Sequence, residues 1–328
     1  MQAFSSTKDK IFFTKKENFE QTALELFHYQ ATYNPVYRSF INCLNINSSN
    51  ITKIVQIPFL PVELFKQHVI KTGNFKAEKV FKSSGTAYQQ RSFHYVKDVS
   101  LYQESYMKAF EMFFGPVKNQ AILALLPSYL EQGEASLVNM VEGLVQSSSY
   151  PESGFFLYDH DLLLKTIYNL KRKNANIVLF GVIYALLDLA ENYEPDLQDV
   201  AIIETGGMKG LRREMVREEL HGTLKEKFNK NSIQTEYGMT EMLSQVYALK
   251  DGVFKSPPWM KVLVRDPYDP FDISEKGRGA INMVDLANVH SCCFLATQDL
   301  GHIHEDESFE VLGRFDNSDI RGCNLMVG

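Results

Sequence analysis

From about residue 119 the chain alternates short apolar runs with longer amphipathic ones. Ala121–Pro127 (AILALLP) predicts a buried strand and Ala135–Val145 (ASLVNMVEGLV) a helix. GFFLYD (Gly154–Asp159) predicts the next strand, and Asp159 or Asp161 can cap the helix that follows. The alternation continues through NIVLFG, YALLDLAENY, DVAIIETGG, MVREELHGTLKEKF and SIQTEYG. This pattern indicates crossover units, and hence an α/β fold with a mainly parallel sheet flanked by helices.

The two flanks of this region have other patterns. Before about Phe81 the sequence predicts irregular structure, with one helix over Asn18–Gln30. After Pro257 helical patterns stop, and MKVLVRD, GAINMVDL, CFLATQDLG and SFEVLGR predict short strands. The expected domains are therefore an α/β core over residues 1–256 and a β-rich subdomain over residues 257–328.

Composition and charge exclude several classes of protein. The 328 residues are 45% hydrophobic and 23% charged, and the net charge of −6 argues against a nucleic-acid-binding surface. The longest nearly apolar run, Ile177–Leu187, is about half of the ~20 residues that a membrane span needs. The N-terminal residues lack the apolar stretch of a signal peptide. Four cysteines in such a chain favour a reducing compartment, so we expect a cytoplasmic protein.

Three polar segments are candidates for chemistry. KSSGTAYQQRS (Lys82–Ser92) can wrap an anion with hydroxyl and backbone donors, although a polar surface turn has the same composition. ETGGMKG (Glu204–Gly210) follows a strand, and its glycines allow a planar ring to approach the backbone or simply form a tight turn. TEYGMTE (Thr235–Glu241) also follows a strand and offers an aromatic ring, a hydroxyl and a carboxylate. Ligands of parallel sheets bind at these strand ends.

The order of these segments, continued by DLG and GRFD in TQDLGHIHEDESFEVLGRFD (Thr297–Asp316), resembles the motif order of the adenylate-forming superfamily. That superfamily contains acyl-CoA synthetases, luciferases and peptide-synthetase adenylation domains. Within it the chain most resembles LuxE-type acyl-protein synthetases, through its short N-terminal part, LLPSYLEQGEASLVNMV (Leu125–Val141) and the ending DIRGCNLMV. The resemblance implies ATP-dependent activation of a fatty acid to an acyl-adenylate, with acyl transfer to a protein cysteine.

The resemblance also implies a role for individual residues, with ATP and Mg²⁺ as cofactors. It assigns the ATP phosphates to Ser83, Ser84, Gly85 and Thr86; the adenine to Gly206, Gly207 and Met208 on one face and to Tyr237, followed by Gly238, on the other; the α-phosphate and Mg²⁺ to Thr240 and Glu241; the ribose to Asp299, with Arg314 nearby; and the acyl relay to Cys323. The expected partners are a carboxylic or fatty acid and an acyl reductase or another acyl-accepting protein. Residues 1–256 would then bind nucleotide and acyl group.

The sequence departs from the superfamily pattern in two places. The usual lysine late in the phosphate loop is replaced by Gln89, Gln90 and Arg91, of which Arg91 is a possible substitute. Typical relatives continue past GRxD into a mobile domain that carries a catalytic lysine, and we expect this swinging domain to be absent here. Cys323 stands in its place as a candidate acyl acceptor, with Arg321 favouring the thiolate. The alternative is a small buried cysteine that ends a strand.

Two further functions remain open from the sequence. One is a compact carboxylate–CoA ligase of the phenylacetate type, and the other is a non-catalytic acyl- or nucleotide-binding subunit. A metal site at His302 and His304, with Asp306 and Glu307 close by, has no third ligand at a recognisable spacing. The neighbours Cys292 and Cys293 are expected to face opposite sides of a strand, which favours core packing for at least one.

Overall fold

The computed structural model describes residues 7–83, 90–127, 134–206 and 215–314. In chain order the α-helices are α1 (Thr7–Phe12), α2 (Lys16–Tyr33), α3 (Pro35–Cys43), α4 (Leu64–Gln67), α5 (Val99–Phe114), α6 (Ser136–Ser147), α7 (His160–Arg172), α8 (Ile183–Tyr193) and α9 (Arg217–Lys227). The strands are β1 (Leu60–Pro61), β2 (Lys79–Lys82), β3 (Phe93–Val96), β4 (Gln120–Leu125), β5 (Gly154–Phe155), β6 (Asn176–Val182), β7 (Val200–Thr205), β8 (Gln234–Tyr237), β9 (Val246–Ala248), β10 (Val253–Lys255), β11 (Met260–Arg265), β12 (Ile273–Ser274), β13 (Gly277–Asp285), β14 (Phe294–Ile303) and β15 (Phe309–Arg314). By its contacts the chain divides into two units, residues 75–257 and residues 1–74 with 258–328.

The unit of residues 75–257 contains the predicted parallel sheet. Its strand order is β10-β9-β8-β7-β6-β4-β5, and the pairs from β8 to β5 are parallel. All six residues of β4 are buried, as are six of the seven in β6, because both faces of such a sheet are covered. β9 and β10 continue the sheet in antiparallel orientation, and β2 with β3 forms a separate hairpin. The α/β prediction is therefore confirmed.

One strand of this unit is much shorter than the sequence indicates. β5 ends at Phe155, whereas GFFLYD predicts a strand to Asp159. Leu157 has a φ of +51°, which a strand residue cannot adopt, so the chain turns there. Asp159 then caps α7 by accepting a hydrogen bond from the Leu162 backbone at 3.0 Å. Of the two candidate caps, Asp159 is the one used.

The other unit joins the N-terminal helices to the predicted C-terminal strands. Its strand order is β12-β11-β13-β14-β15, all antiparallel, with β1 added parallel to β14. The four strands predicted after Pro257 are all present. The helix predicted over Asn18–Gln30 is confirmed as the longer α2, but α3 lies where we expected irregular structure. Asn34 starts α3 by accepting a hydrogen bond from the Tyr37 backbone at 3.1 Å.

Buried side-chain amides explain why these two distant stretches of sequence form one unit. Gln30 of α2 donates to the carbonyl of Asn288 at 3.0 Å and accepts from the backbone of Cys293 at 2.9 Å. Asn34 donates to the carbonyl of Ser291 at 2.9 Å. The sequence-based boundary at residue 257 groups the N-terminal segment with the α/β core, whereas the contacts group it with the C-terminal strands. As a functional division into residues 1–256 and 257–328 it stays a prediction.

Within the described part of the chain, none of the helices has both the length and the apolar character that crossing a membrane requires.

Candidate active site

The carboxyl ends of β7 and β8 meet at one edge of the parallel sheet. Glu204 of β7 is the register partner of Thr235 of β8. Gly206 directly follows β7 with a φ of +70°, a conformation that glycine adopts without steric cost. Tyr237 ends β8 at the same edge. Two of the predicted adenine-binding residues therefore lie on adjacent strand ends, where parallel sheets bind ligands.

A buried carboxyl group lies at this edge, on β8. Glu236 is 8% exposed, and its Oε2 accepts a hydrogen bond from the Thr205 hydroxyl at 2.5 Å. Burial raises the pKa of Glu236 to about 7; the Thr205 hydrogen bond opposes the rise and the charge of Glu204 adds to it. A β-carbon at Gly238 would lie 2.6 Å from Glu236 Oε1, so glycine leaves room for the carboxyl group. Glu236 thus changes its charge near neutral pH.

The segment after β8 is tied to β3 by a buried histidine. His94 Nδ1 donates to the backbone carbonyl of Thr240 at 2.8 Å, which places the ring proton on Nδ1. Burial lowers the pKa of His94 to about 4, although the Thr240 hydrogen bond opposes the shift. The ring is therefore neutral at physiological pH. Beyond Thr240, the predicted Mg²⁺ ligand Glu241 is 8% exposed.

The same hairpin carries the two ends of the predicted phosphate loop. Ser83 follows β2, and its hydroxyl accepts a hydrogen bond from the Ser92 backbone at 2.8 Å, while its own N–H donates to the Ser92 carbonyl at 3.1 Å. Arg91 lies between them in the sequence and is half-buried. These two bonds join Ser83 to Ser92, and β3, which follows Ser92, contacts Thr240 through His94.

The predicted stacking residue Tyr237 is half-buried. Its ring centroid lies 5.9 Å from that of Phe254, at an interplanar angle of 63°. Phe254 in turn lies 5.3 Å from the guanidinium carbon of Arg217. This edge contact orients the Tyr237 ring.

The predicted ribose-binding residues belong to the other unit. Asp299 of β14 and Arg314 of β15 are direct register partners, and Arg314 Nε lies 3.7 Å from Asp299 Oδ1. The Asp299 backbone donates to the Thr297 hydroxyl at 3.1 Å, and Arg314 also donates to the Gln298 side chain at 2.8 Å. The structure therefore places Asp299 beside Arg314. Their role in binding ribose stays a prediction.

Several predicted residues lie outside the described residues: Ser84, Gly85, Thr86, Gly207, Met208 and Cys323. Two residues that sequence reasoning missed are Glu236 and His94. The signal for Glu236 is a carboxylate inside a strand of a buried parallel sheet, where apolar residues are expected. For His94 the signal is alternation, since FHYV places His94 and Val96 on the same buried face.

The sequence model of the acyl-protein synthetase family, LuxE, matches residues 8–328. The chain belongs to this family. Among curated proteins, none matches the sequence.

This LuxE-family chain is similar to several solved structures. A luciferase-like enzyme from the mealworm Zophobas morio has 17% identity and a TM-score of 0.51, covering 75% of this chain and 60% of its own. The N-terminal domain of FACL13 from Mycobacterium tuberculosis has 14% identity, a TM-score of 0.47 and coverage of 76% and 63%. O-succinylbenzoate coenzyme A synthetase from Bacillus subtilis, solved with ATP and magnesium, has 16% identity and a TM-score of 0.46, and the match covers 74% of this chain and 51% of that one. The chain spans less than two thirds of each, and the first likeness shows the fold.

Proposed function

We propose that this chain activates a carboxylic acid, specifically a fatty acid, with ATP and transfers the acyl group to the thiol of Cys323. The observation that carries the proposal is the family match over residues 8–328, which spans every motif from Ser83 to Cys323. The adjacent carboxyl ends of β7 and β8 support it, because the candidate nucleotide-binding residues Gly206 and Tyr237 lie together there.

The residue roles follow the chemistry of the nucleotide. The Ser83–Thr86 segment and Arg91 would hold the phosphates with hydroxyl, backbone and guanidinium donors. Tyr237 would stack on the adenine opposite Gly206–Met208. The two carboxylate oxygens of Asp299 can accept from both ribose hydroxyls, which is the physical reason for an acidic residue there.

The residues after β8 fit a magnesium ion held together with phosphate oxygens. Proteins commonly bind Mg²⁺ through one or two carboxylates plus substrate phosphates, and Glu241 with the neighbouring Thr240 hydroxyl provides such a donor set. When bound, Mg²⁺ would neutralise phosphate charge that otherwise repels the incoming carboxylate. His94 would hold the Thr240 backbone in place for this contact, through the hydrogen bond already described.

The reaction consists of two substitutions. A carboxylate oxygen of the acid forms a bond to the α-phosphorus, and the bond to the leaving pyrophosphate breaks. The Cys323 thiolate then attacks the acyl carbonyl, and the bond to AMP breaks. The nucleophile of the first step is already ionised, so that step needs orientation and charge neutralisation rather than a general base. An acyl reductase or another protein would accept the acyl group from the thioester.

Burial argues against two of the four cysteines as acyl acceptors. Cys292 and Cys293 are both 0% exposed, so core packing applies to both. Burial raises the pKa of Cys292 to about 12 and that of Cys293 well above its usual range. Since the thiolate is the nucleophile, neither is suited to acyl transfer. Cys43 is exposed on α3 and provides a matched control for Cys323.

Intact-protein mass spectrometry after incubation with ATP, Mg²⁺ and a panel of fatty acids tests the proposal. We expect an ATP-dependent, hydroxylamine-labile acyl adduct that Cys323→Ala abolishes and Cys43→Ala retains. An adduct that persists in Cys323→Ala would remove Cys323 from the mechanism. Pyrophosphate release without an adduct would favour the carboxylate–CoA ligase, to be checked by adding coenzyme A. ATP binding without pyrophosphate release would favour the non-catalytic subunit.

A further inference from the structure

One face of the β14–β15 hairpin carries two imidazoles and a carboxylate. His302 lies in β14, and His304 directly follows Ile303, the last residue of that strand. Two positions apart in extended chain, the two imidazoles lie on the same side of the hairpin. Glu310 of β15 is the direct register partner of His302 and therefore shares that face. The residues between them, Ile303 and Phe309, are 3% and 0% exposed and occupy the opposite, buried face. The hairpin thus presents a polar trio over an apolar base.

The three side chains are close enough to share one ion. One ligand atom from each of His302, His304 and Glu310 lies within 4.8 Å of the others. His304 Nε2 is 2.8 Å from Glu310 Oε1, and the two imidazole centroids are 4.6 Å apart. Zinc bonds of about 2.0–2.2 Å place tetrahedral ligands roughly 3.4 Å from one another. Small rotations of these half-exposed side chains would bring the ligand atoms from separations of up to 4.8 Å to the spacing that zinc requires.

Glu310 is the third donor group near the two histidines, and sequence spacing could not identify it. The nearby acidic residues of the turn interact elsewhere: Asp306 with the Ser308 backbone at 3.1 Å, Glu307 with Lys16 at 2.8 Å, and Glu305 with Lys276. Asp306 and Glu307, named in the sequence as the neighbouring carboxylates, are thus replaced by one from the next strand. The register partner of His302 on β13 is the exposed Arg278, whose positive charge limits the affinity for a cation.

We propose that His302, His304 and Glu310 form a site for a transition-metal dication of the Zn²⁺ type. Two imidazole nitrogens and one carboxylate are a donor set that suits zinc, whereas Mg²⁺ prefers oxygen ligands alone. The site is therefore chemically distinct from the magnesium site proposed at Glu241. His304 and Glu310 are 32% and 35% exposed, so a fourth position is open to water or to an external ligand.

Calorimetric titration of the untagged full-length chain with Zn²⁺, after chelator treatment and without ATP, tests this proposal. We expect one Zn²⁺ per chain. His302→Asn and Glu310→Gln should each raise the dissociation constant at least about tenfold, because each removes one of three ligands. The matched control is His68→Asn, which changes an exposed histidine at the end of α4 and should leave the constant unchanged.

Substitution with Co²⁺ gives a readout on the wild-type chain that does not depend on variants. A protein-bound Co²⁺ with nitrogen and oxygen ligands should show visible absorption that Zn²⁺ displaces in a one-to-one ratio. Absence of stoichiometric Zn²⁺ binding would overturn the proposal and leave only a hydrogen-bonded His304–Glu310 pair. Equal Zn²⁺ affinity in the wild type and the folded His302→Asn variant would also overturn it.

Discussion

Charged side chains are buried both at the carboxyl ends of the parallel strands β7 and β8 and among the antiparallel strands β11, β13 and β14. The two regions differ in how fully hydrogen bonds compensate the buried charge. Arg265 of β11 donates to the Ile281 carbonyl at 2.9 Å, the Asn282 side chain at 2.7 Å and the Thr297 carbonyl at 2.6 Å. Glu236 of β8 accepts from the Thr205 hydroxyl, yet burial still raises its pKa to about 7. The buried charge of Arg265 is compensated by three acceptors on β13 and β14, and these bonds link the strands. Glu236 stays close to its ionisation midpoint, as groups at functional sites often do.

The arginine should therefore act on stability rather than on chemistry. Arg265→Leu removes the guanidinium donor from three buried acceptors, of which the Ile281 carbonyl still accepts from the Thr297 hydroxyl. We expect the free energy of unfolding to fall by about 3 kcal/mol. The measurement is denaturant unfolding at neutral pH. The matched control is Arg278→Leu, since Arg278 is exposed on the neighbouring β13 and should change stability by less than about 0.5 kcal/mol. Equal losses in both variants would show that the buried contacts of Arg265 contribute nothing special.

Glu236 should make the free energy of unfolding depend on pH. The folded chain holds the Glu236 proton up to about pH 7, whereas the unfolded chain releases it near the ordinary value of 4.5. Ionisation of Glu236 therefore lowers stability as pH rises through that window, by up to about 3 kcal/mol. We expect Glu236→Gln to remove this loss, so that its stability relative to wild type increases from pH 5 to pH 7.5.

Urea unfolding at several pH values measures the effect of Glu236→Gln. The matched control, Glu219→Gln, changes an exposed carboxylate on α9 and should run parallel to wild type. Parallel curves for Glu236→Gln as well would mean that Glu236 ionises normally, and the contrast with Arg265 would then lose its basis.

The two regions also differ in how far the sequence predicts them. The alternating runs predict β4, β6, β7 and β8, because a parallel sheet needs apolar strands separated by amphipathic helices. The family resemblance implies that Arg314 lies near Asp299. It does not predict the environment of Glu236, since the Thr205 hydroxyl that contacts it comes from a neighbouring strand 31 positions earlier in sequence. Likewise, Glu310 joins the two histidines through strand register, which no local spacing encodes.

The smallest expected effect concerns His94, and it has the opposite pH dependence to Glu236. The folded chain protonates His94 only near pH 4, whereas the unfolded chain does so near 6.5, so stability is lost as pH falls through that window. Between pH 6.5 and 5 this loss amounts to about 2 kcal/mol. His94→Gln retains an N–H donor for the Thr240 carbonyl, so in urea unfolding its stability relative to wild type should increase as pH falls from 6.5 to 5, while His68→Gln at an exposed position should run parallel to wild type. If His94→Gln kept the acid sensitivity of wild type, the buried neutral imidazole would not be its source.

If both predicted pH responses hold, the parallel-sheet unit contains one group, Glu236, whose contribution to stability falls as pH rises, and another, His94, whose contribution falls as pH decreases. Because the two windows overlap between about pH 4.5 and 6.5, the two effects largely cancel there in the wild type, and each is measured as a difference between variant and wild type.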